Sequence, residues 1–104
     1  MQKPMPNTLS PIHPGETLRE DVLDPLHMSV NRLSKALGVD STRLNEIVRG
    51  RRGITADTAL RLARYLGTSA EFWLGLQLDY ELRVARQAKL KQIEREVQPK
   101  TNAA

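Results

Sequence analysis

The sequence lacks cysteine, has only four aromatic residues and contains no long apolar run. Without cysteine the chain can form neither a disulfide nor a thiolate metal site. No stretch approaches the roughly 18 apolar residues that a membrane-spanning helix needs. A core with so few aromatics must be built from Leu, Val, Ile and Ala, a composition that suits packed helices. At 104 residues, the chain is predicted to form one modest helical core.

The first twelve residues also lack the apolar segment of a signal peptide. They contain three prolines and one lysine, a composition that neither continues a helix nor fills a core. We therefore predict a flexible arm over residues 1–12 and a cytoplasmic location. A helix-turn-helix domain over residues 13–85 and a helical extension with a tail over residues 86–104 complete the predicted organisation.

The positive charge of the chain is concentrated in one segment. The net charge is +4, from 16 basic and 12 acidic residues. Residues 29–53 hold six of the basic and two of the acidic residues, and the remainder is balanced. A local basic patch on an otherwise balanced protein is typical of a polyanion-binding surface. On charge alone, a solvated charged face is an equally good interpretation.

Apolar residues recur at helical spacing along most of the chain, which predicts an all-α fold of five helices. The first helix begins at Pro14 and ends at Asp24, because a residue that precedes proline avoids the helical conformation. The fourth helix is capped by Thr55. The fifth begins near Ser69 and is either one long helix or a short helix that continues after a kink near Gly75.

Residues 29–52 have the pattern of a helix-turn-helix. Ser29 and Ser41 are each suited to cap a helix, and Gly38 permits a sharp turn between them. Six apolar residues can face one interior and fix the two helices at a steep angle. They are Leu33, Leu37, Val39, Leu44, Ile47 and Val48. The outside of the second helix is then polar throughout, which suits the major groove of DNA.

The polar residues have chemistry that suits DNA contacts. Arg43 is predicted to donate to guanine and Asn45 to pair with adenine. Glu46 either accepts from cytosine or forms a helical ion pair with Arg43 or Arg49. The remaining residues are also predicted to contact DNA. Those at the start of the second helix of the motif contact bases or phosphates, and the others contact phosphates. They are Ser41 and Thr42 at the start of the second helix, Arg49, Arg51 and Arg52 at its end, and Asn31 and Arg32 at the start of the preceding helix.

From Ile12 to about Ala85 the sequence resembles the HigA-type antitoxins of the Xre and lambda-repressor-like family. The resemblance depends on the opening IHPGETLRE at residues 12–20, on residues 29–50, and on EFWLGLQ at residues 71–77. It implies a five-helix lambda-repressor-like domain in a bacterial or phage-related protein. It further implies a dimer that represses its own operon and neutralises a small basic RNase toxin encoded beside it.

A dimer of this kind requires palindromic operator DNA. The aromatic and apolar residues of the fifth helix have two interpretations, which can both hold. They close the core over the first and fourth helices, with Trp73 inside, or they form a homodimer interface, for which Trp and Tyr are favoured anchors. The predicted interface residues are Trp73, Leu76, Tyr80 and Val84. The acidic first helix and the C-terminal tail are the two candidate surfaces for the toxin.

Other classes of function are less well supported by the sequence. His13 and His27 have no paired carboxylates, and no phosphate-binding loop is present, so we predict no catalytic residues, no metal and no cofactor. His13 is expected to cap or pack at the start of the first helix. A stand-alone repressor without a toxin remains an alternative. An RNA-binding module is disfavoured, because the basic segment lacks the aromatics that stack on single-stranded bases.

Overall fold

Five helices make up the regular structure of residues 10–101, the part of the chain that the computed structural model describes. They are α1 (Pro14–Leu18), which a π-helical turn (Arg19–Leu23) continues, α2 (Val30–Leu37), α3 (Ser41–Val48), α4 (Ala56–Leu66) and α5 (Ala70–Glu96). Residues 10–101 contain no strand, so the predicted all-α, five-helix fold is confirmed. Residues 1–9 of the predicted arm and 102–104 of the predicted tail lie outside the described residues.

Side chains cap the starts of these helices. Ser29 accepts a hydrogen bond from the Arg32 N–H at 3.1 Å, and Thr55 accepts one from Thr58, as the sequence predicts. The prediction for α3 is wrong, because Asp40 and not Ser41 is its N-cap. The Asp40 carboxylate accepts from the backbone N–H two residues on, at 3.2 Å. Ser41 is therefore the first residue inside α3.

The turn of the helix-turn-helix depends on Gly38, which has φ of +71°. In this left-handed conformation its N–H bonds back to the Lys35 carbonyl at 3.2 Å, and the Val39 N–H bonds to the Ser34 carbonyl at 3.0 Å. A side chain at position 38 would be strained there. Gly38 therefore ends α2 and directs the chain into α3.

The core lies where α1, α2, α3, α4 and the first half of α5 meet. Its fully buried side chains include Leu18, Leu33, Leu44, Ile47, Leu62 and Trp73. Val39 and Val48 pack against this core while remaining partly exposed. Helices α1 and α3 approach so closely that a Cβ added to Gly15 would lie 1.8 Å from the carbonyl oxygen of Ile47. Gly15 thereby fixes the position of α3 on the core.

Helix α5 runs without interruption through Gly75 for 27 residues, which decides between the two predicted forms of this helix. Its first half packs on α4 and α1. Every residue from Glu81 to the end of the described chain is exposed, so the second half extends beyond the core. Within residues 10–101, none of the helices combines the length and apolarity that crossing a membrane requires.

Candidate nucleic-acid interface

The outward face of α3 is polar, because its buried residues are confined to Leu44 and Ile47. Thr42, Asn45 and Arg49 are exposed on this face. Ser41, Arg43 and Glu46 are half-buried at its edges. The six outward residues that the sequence predicts for this helix thus share one side of α3, where they offer hydrogen-bond donors and acceptors to a partner.

Two of these residues are already paired within the protein. The Arg43 guanidinium donates to Asp57 of α4 at 3.1 Å, and Glu46 forms an ion pair with Arg52 at 2.6 Å. An ion pair for Glu46 was one of the two predicted alternatives, but its partner lies in the following loop rather than at Arg43 or Arg49 of the same helix. Arg52 is therefore ion-paired with α3, although its side chain is still exposed.

Asp57 connects α3 to α4 and to the end of α2. Its carboxylate accepts from both Arg43 and Arg61, at 3.1 and 2.9 Å. These two hydrogen bonds, first from Arg61 and then from Arg43, hold the pKa of Asp57 below its ordinary value. Arg61 also donates to the carbonyls of Leu37 and Gly38 at 2.9 and 3.3 Å, where α2 ends. One chain of hydrogen bonds thus joins the helix-turn-helix to α4.

The loop that follows α3 is hydrogen-bonded to a side chain of α5. The Gln77 side chain is buried, and its amide oxygen accepts the Ile54 N–H at 2.8 Å. Its amide nitrogen donates to Glu81 at 2.8 Å. At the other end of the loop, the Arg51 N–H donates to the carbonyl of Glu46 at 2.8 Å. The backbone of the loop is therefore fixed while its arginines point outward.

His13 connects the start of α1 to this loop and to α5. Its Nδ1 accepts from the Gly15 N–H at 2.9 Å, which confirms the predicted capping role. Its ring packs edge-on against Tyr80 at a centroid distance of 4.8 Å and lies beside Gly50. Burial lowers the pKa of His13, and a hydrogen bond to the Arg52 backbone opposes this effect in part.

Three predicted phosphate contacts carry unpaired charge. Arg32, Arg49 and Arg51 are exposed, and none of the three has an ion-pair partner within residues 10–101. Arg32 lies in the first turn of α2 beside exposed Asn31, whereas Arg49 and Arg51 follow the end of α3. The unpaired positive charge of the described residues therefore lies at the start of α2 and at the end of α3, the pattern expected of a surface that follows a phosphate backbone.

Comparisons with known proteins agree with this geometry. The helix-turn-helix family model matches residues 18–73, which include α2, α3 and α4. A solved structure of the antitoxin HigA from Pseudomonas aeruginosa, determined with the higBA promoter, is 49% identical in sequence. It superposes with a TM-score of 0.85 over 88% of this chain and 99% of that one. The chain belongs to the HigA-type helix-turn-helix family.

Two further relatives are similar to this chain over most of its length. The structure of an addiction module antidote protein of the HigA family from Coxiella burnetii is 48% identical. It has a TM-score of 0.84 over 88% of this chain and the whole of that one. Virulence-associated protein I from Dichelobacter nodosus is 55% identical over 83 residues, which are 80% of this chain and 77% of the relative.

The interface assignment of Trp73 in this HigA-type chain is wrong, and its core-closing interpretation is confirmed. Trp73 is only 1% exposed, and its indole N–H donates to Thr68 within the same chain at 2.8 Å, so it has no surface for a partner. Leu76 packs against the core, and Tyr80 is half-buried on His13. Of the four predicted residues, only Val84 is well exposed.

An apolar stripe that the sequence interpretation missed lies on the outward side of α5. Leu74, Leu78 and Leu82 follow one another at a spacing of four residues and are 36%, 58% and 41% exposed. At helical spacing the centre of this stripe lies about 120° around α5 from buried Trp73 and Gln77, so the stripe faces away from the core. The sequence interpretation did not separate this stripe from the core-facing residues, because α5 carries apolar residues on more than one side.

Proposed function

We propose that this protein is the DNA-binding antitoxin of a toxin–antitoxin pair. In this proposal it binds the operator of its own operon as a dimer, represses that operon and neutralises a cognate HigB-type RNase toxin. The observation that carries the DNA-binding part is the polar outward face of α3 together with Arg32, Arg49 and Arg51, which have no ion-pair partner among residues 10–101. The family supports the antitoxin part.

Helix α3 is the element proposed to enter the major groove. Arg43 and Asn45 have the donors and acceptors for guanine and adenine edges, and Thr42 offers both a hydroxyl and a methyl group. Glu46 is held by Arg52, so we assign this pair a supporting role at the end of the helix. Arg32, Arg49 and Arg51 contact phosphates on either side and set the register of α3 in the groove.

A dimer would present two copies of α3 to successive major grooves, about 34–36 Å apart, and so require a palindromic operator. The outward stripe of Leu74, Leu78 and Leu82 supports this assembly. Three exposed leucines in one row on a small domain form the type of apolar surface that a second chain covers. We place the dimer contact there rather than on the core-facing side of α5.

For the toxin, the acidic surface of α1 and its π-helical turn is the better of the two candidate sites. Four exposed carboxylates cluster there, whereas the exposed part of α5 carries an excess of Lys and Arg. The four are Glu16, Glu20, Asp21 and Asp24. A basic toxin would be attracted to such a surface and repelled by the helical extension.

The proposal is tested by expressing the chain with and without its neighbouring reading frame. We expect footprinting to show protection of an inverted repeat upstream of its own gene. We also expect co-purification with a small basic product of the neighbouring frame, and loss of the RNase activity of that product when the chain is added. Protection without a toxin partner would instead support a stand-alone Xre-type repressor, and failure to bind duplex DNA would overturn the proposal.

A further inference from the structure

Arg43 and Asp57 are 14 residues apart, yet their side chains are joined on the α3 surface. The guanidinium of Arg43 donates through Nη1 to Oδ2 of Asp57 at 3.1 Å. The same oxygen accepts from Nε of Arg61 at 2.9 Å. Arg61 in turn is fixed by its Nη1, which donates to the carbonyl of Leu37 at 2.9 Å. Asp57 therefore lies at the centre of an ordered row of three side chains anchored on backbone.

We propose that Asp57 is a positioning residue for base recognition, which holds the guanidinium of Arg43 in the orientation that reads guanine. This inference rests on the proposed function, in which Arg43 contacts a base in the major groove. Asp57 itself lies in the first turn of α4 and need not contact a base.

The first reason concerns the order of the arginine side chain. A free arginine has many rotamers, and fixing it on a base costs conformational entropy. The Asp57 carboxylate removes part of that freedom before DNA arrives. A guanidinium has five N–H donors, so the one bond through Nη1 leaves donors on the other nitrogens for the two acceptors of guanine.

The second reason concerns charge. A phosphate attracts any nearby cation, whatever the sequence, whereas a base edge requires a donor in the correct direction. The Asp57 carboxylate, which Arg43 shares with Arg61, offsets part of the positive charge of Arg43 and repels phosphates from it. Arg43 thus contributes little to non-specific binding and retains its directional donors. Arg61 cannot replace it, because its own guanidinium is held on the end of α2.

The opposite role for Asp57 makes a different prediction. If Asp57 sequestered Arg43 from DNA, removing its charge would strengthen recognition of the correct guanine. If Asp57 positions Arg43, removing its charge weakens that recognition and leaves binding to unrelated DNA undiminished. The sign of the change in discrimination therefore distinguishes the two roles.

The test uses a duplex selected by the wild-type chain from a randomised library, the same duplex with single base-pair changes, and a scrambled duplex. The Arg43→Ala variant identifies the guanine that Arg43 contacts. It is the position at which a base-pair change lowers the affinity of the wild type but no longer lowers that of the variant. We expect Asp57→Asn to reduce discrimination at that guanine about tenfold, within the range of a good bidentate contact, without weakening binding to the scrambled duplex.

Asp79→Asn is the matched control. Asp79 is also exposed and also accepts from an arginine four residues later, Arg83, at 2.9 Å, but it lies on α5 away from α3. The control makes the same change in net charge and breaks the same kind of ion pair. We expect it to leave discrimination at every position unchanged, and an equal loss in both variants would overturn the inference.

A double-mutant cycle shows whether Asp57 acts through Arg43. In the Arg43→Ala background, Asp57→Asn should cause no further loss of discrimination at that guanine. Additive losses, or an unchanged guanine preference in Asp57→Asn alone, would overturn the inference and leave the proposed function intact. If Arg43→Ala lost no preference at any base pair, the direct-reading part of the proposed function would fail, and this inference with it.

Discussion

The side-chain amide oxygen of Gln77 accepts the backbone N–H of Ile54 at 2.8 Å, and this bond joins α5 to the loop behind α3. Gln77 is buried, and Glu81 accepts from its amide nitrogen at 2.8 Å. The loop carries Arg51, which we propose to contact phosphate, and Arg52, which pairs with Glu46 of α3. The position of these arginines therefore depends on a helix that does not itself belong to the proposed DNA-binding surface.

Replacing Gln77 should destabilise the fold. Gln77→Ala leaves the Ile54 N–H without its acceptor in a buried site, a loss that costs about 1–3 kcal/mol of unfolding free energy. Urea denaturation followed by circular dichroism measures it as a lower midpoint. Gln92→Ala is the control, because Gln92 bonds to Glu96 at 3.0 Å on the exposed part of α5. Equal midpoints for the two variants would show that the Gln77–Ile54 bond adds no stability.

Gly15 should not tolerate even one added methyl group. Its Cβ would lie 1.8 Å from the Ile47 carbonyl oxygen, so Gly15→Ala must push α1 away from α3. We expect a loss of at least about 2 kcal/mol in unfolding free energy, since overpacking against rigid backbone is costly. Gly75→Ala is the matched control, because nothing lies within 4 Å of its added Cβ and alanine favours a helix. That control should gain about 0.5–1 kcal/mol, and similar effects of the two changes would contradict the close approach.

The features that the sequence predicts well are those set by local chemistry. Ser29 and Thr55 cap their helices, and Gly38 ends α2 with positive φ, because each depends only on neighbours a few residues away. The apolar set of the helix-turn-helix follows from spacing alone, and four of its six members are fully buried or nearly so. These residues fix both the fold class and the outward side of α3.

The features that the sequence predicts poorly depend on contacts between distant parts of the chain. The pairing of Arg43 with Asp57 across 14 residues requires α3 and α4 to be placed first. The choice of Arg52 as partner for Glu46 depends on the turn after α3. Helix α5 carries apolar residues on more than one side, so periodicity alone leaves Trp73 with two interpretations, a core residue or an interface residue. Only the packing of α5 on α4 assigns its sides.

The stability of the fold should depend on pH through His13. Its Nδ1 accepts from the Gly15 N–H, which only the neutral ring can do, and burial lowers its pKa in the folded protein. The unfolded chain, with an ordinary value of 6.5, then binds a proton more readily. The contribution of His13 is therefore complete above about pH 6.5 and is lost as the pH falls towards the lower pKa of the folded state.

Urea midpoints at pH 7.5 and 5.5 measure this effect. His13→Asn retains a good N-cap acceptor but does not titrate, so the variant should lose part of the pH dependence of the wild type. His27→Asn is the control, because His27 is exposed and its φ of +51° is one that asparagine tolerates. A pH dependence that is unchanged in His13→Asn would show that His13 does not couple stability to pH.

The oligomeric state should depend on the outward side of α5. We expect the wild type to sediment as a dimer at micromolar concentration and Leu78→Glu to sediment as a monomer, because a charge at 58% exposed Leu78 interrupts the apolar stripe. Val84→Glu is the matched comparison, since Val84 is 39% exposed on a different side of the same helix. If Val84→Glu sedimented as a monomer and Leu78→Glu as a dimer, the interface would instead lie on the side of α5 that carries Val84.

Arg43 and Arg51 should affect DNA binding in different ways. Arg43 is held by Asp57 on the face of α3, so Arg43→Ala should lose about 1–3 kcal/mol of discrimination at particular base pairs. Arg51 is exposed and unpaired within the described residues, so Arg51→Ala should weaken binding to all sequences about equally. Arg51→Ala should also reduce the slope of the logarithm of the binding constant against the logarithm of the salt concentration by about one, which corresponds to the loss of one phosphate contact.

Fluorescence anisotropy with the selected and scrambled duplexes between about 50 and 300 mM salt measures both effects. If Arg43→Ala behaved as Arg51→Ala does, Arg43 would be a phosphate contact, and base recognition would have to depend on Thr42 and Asn45.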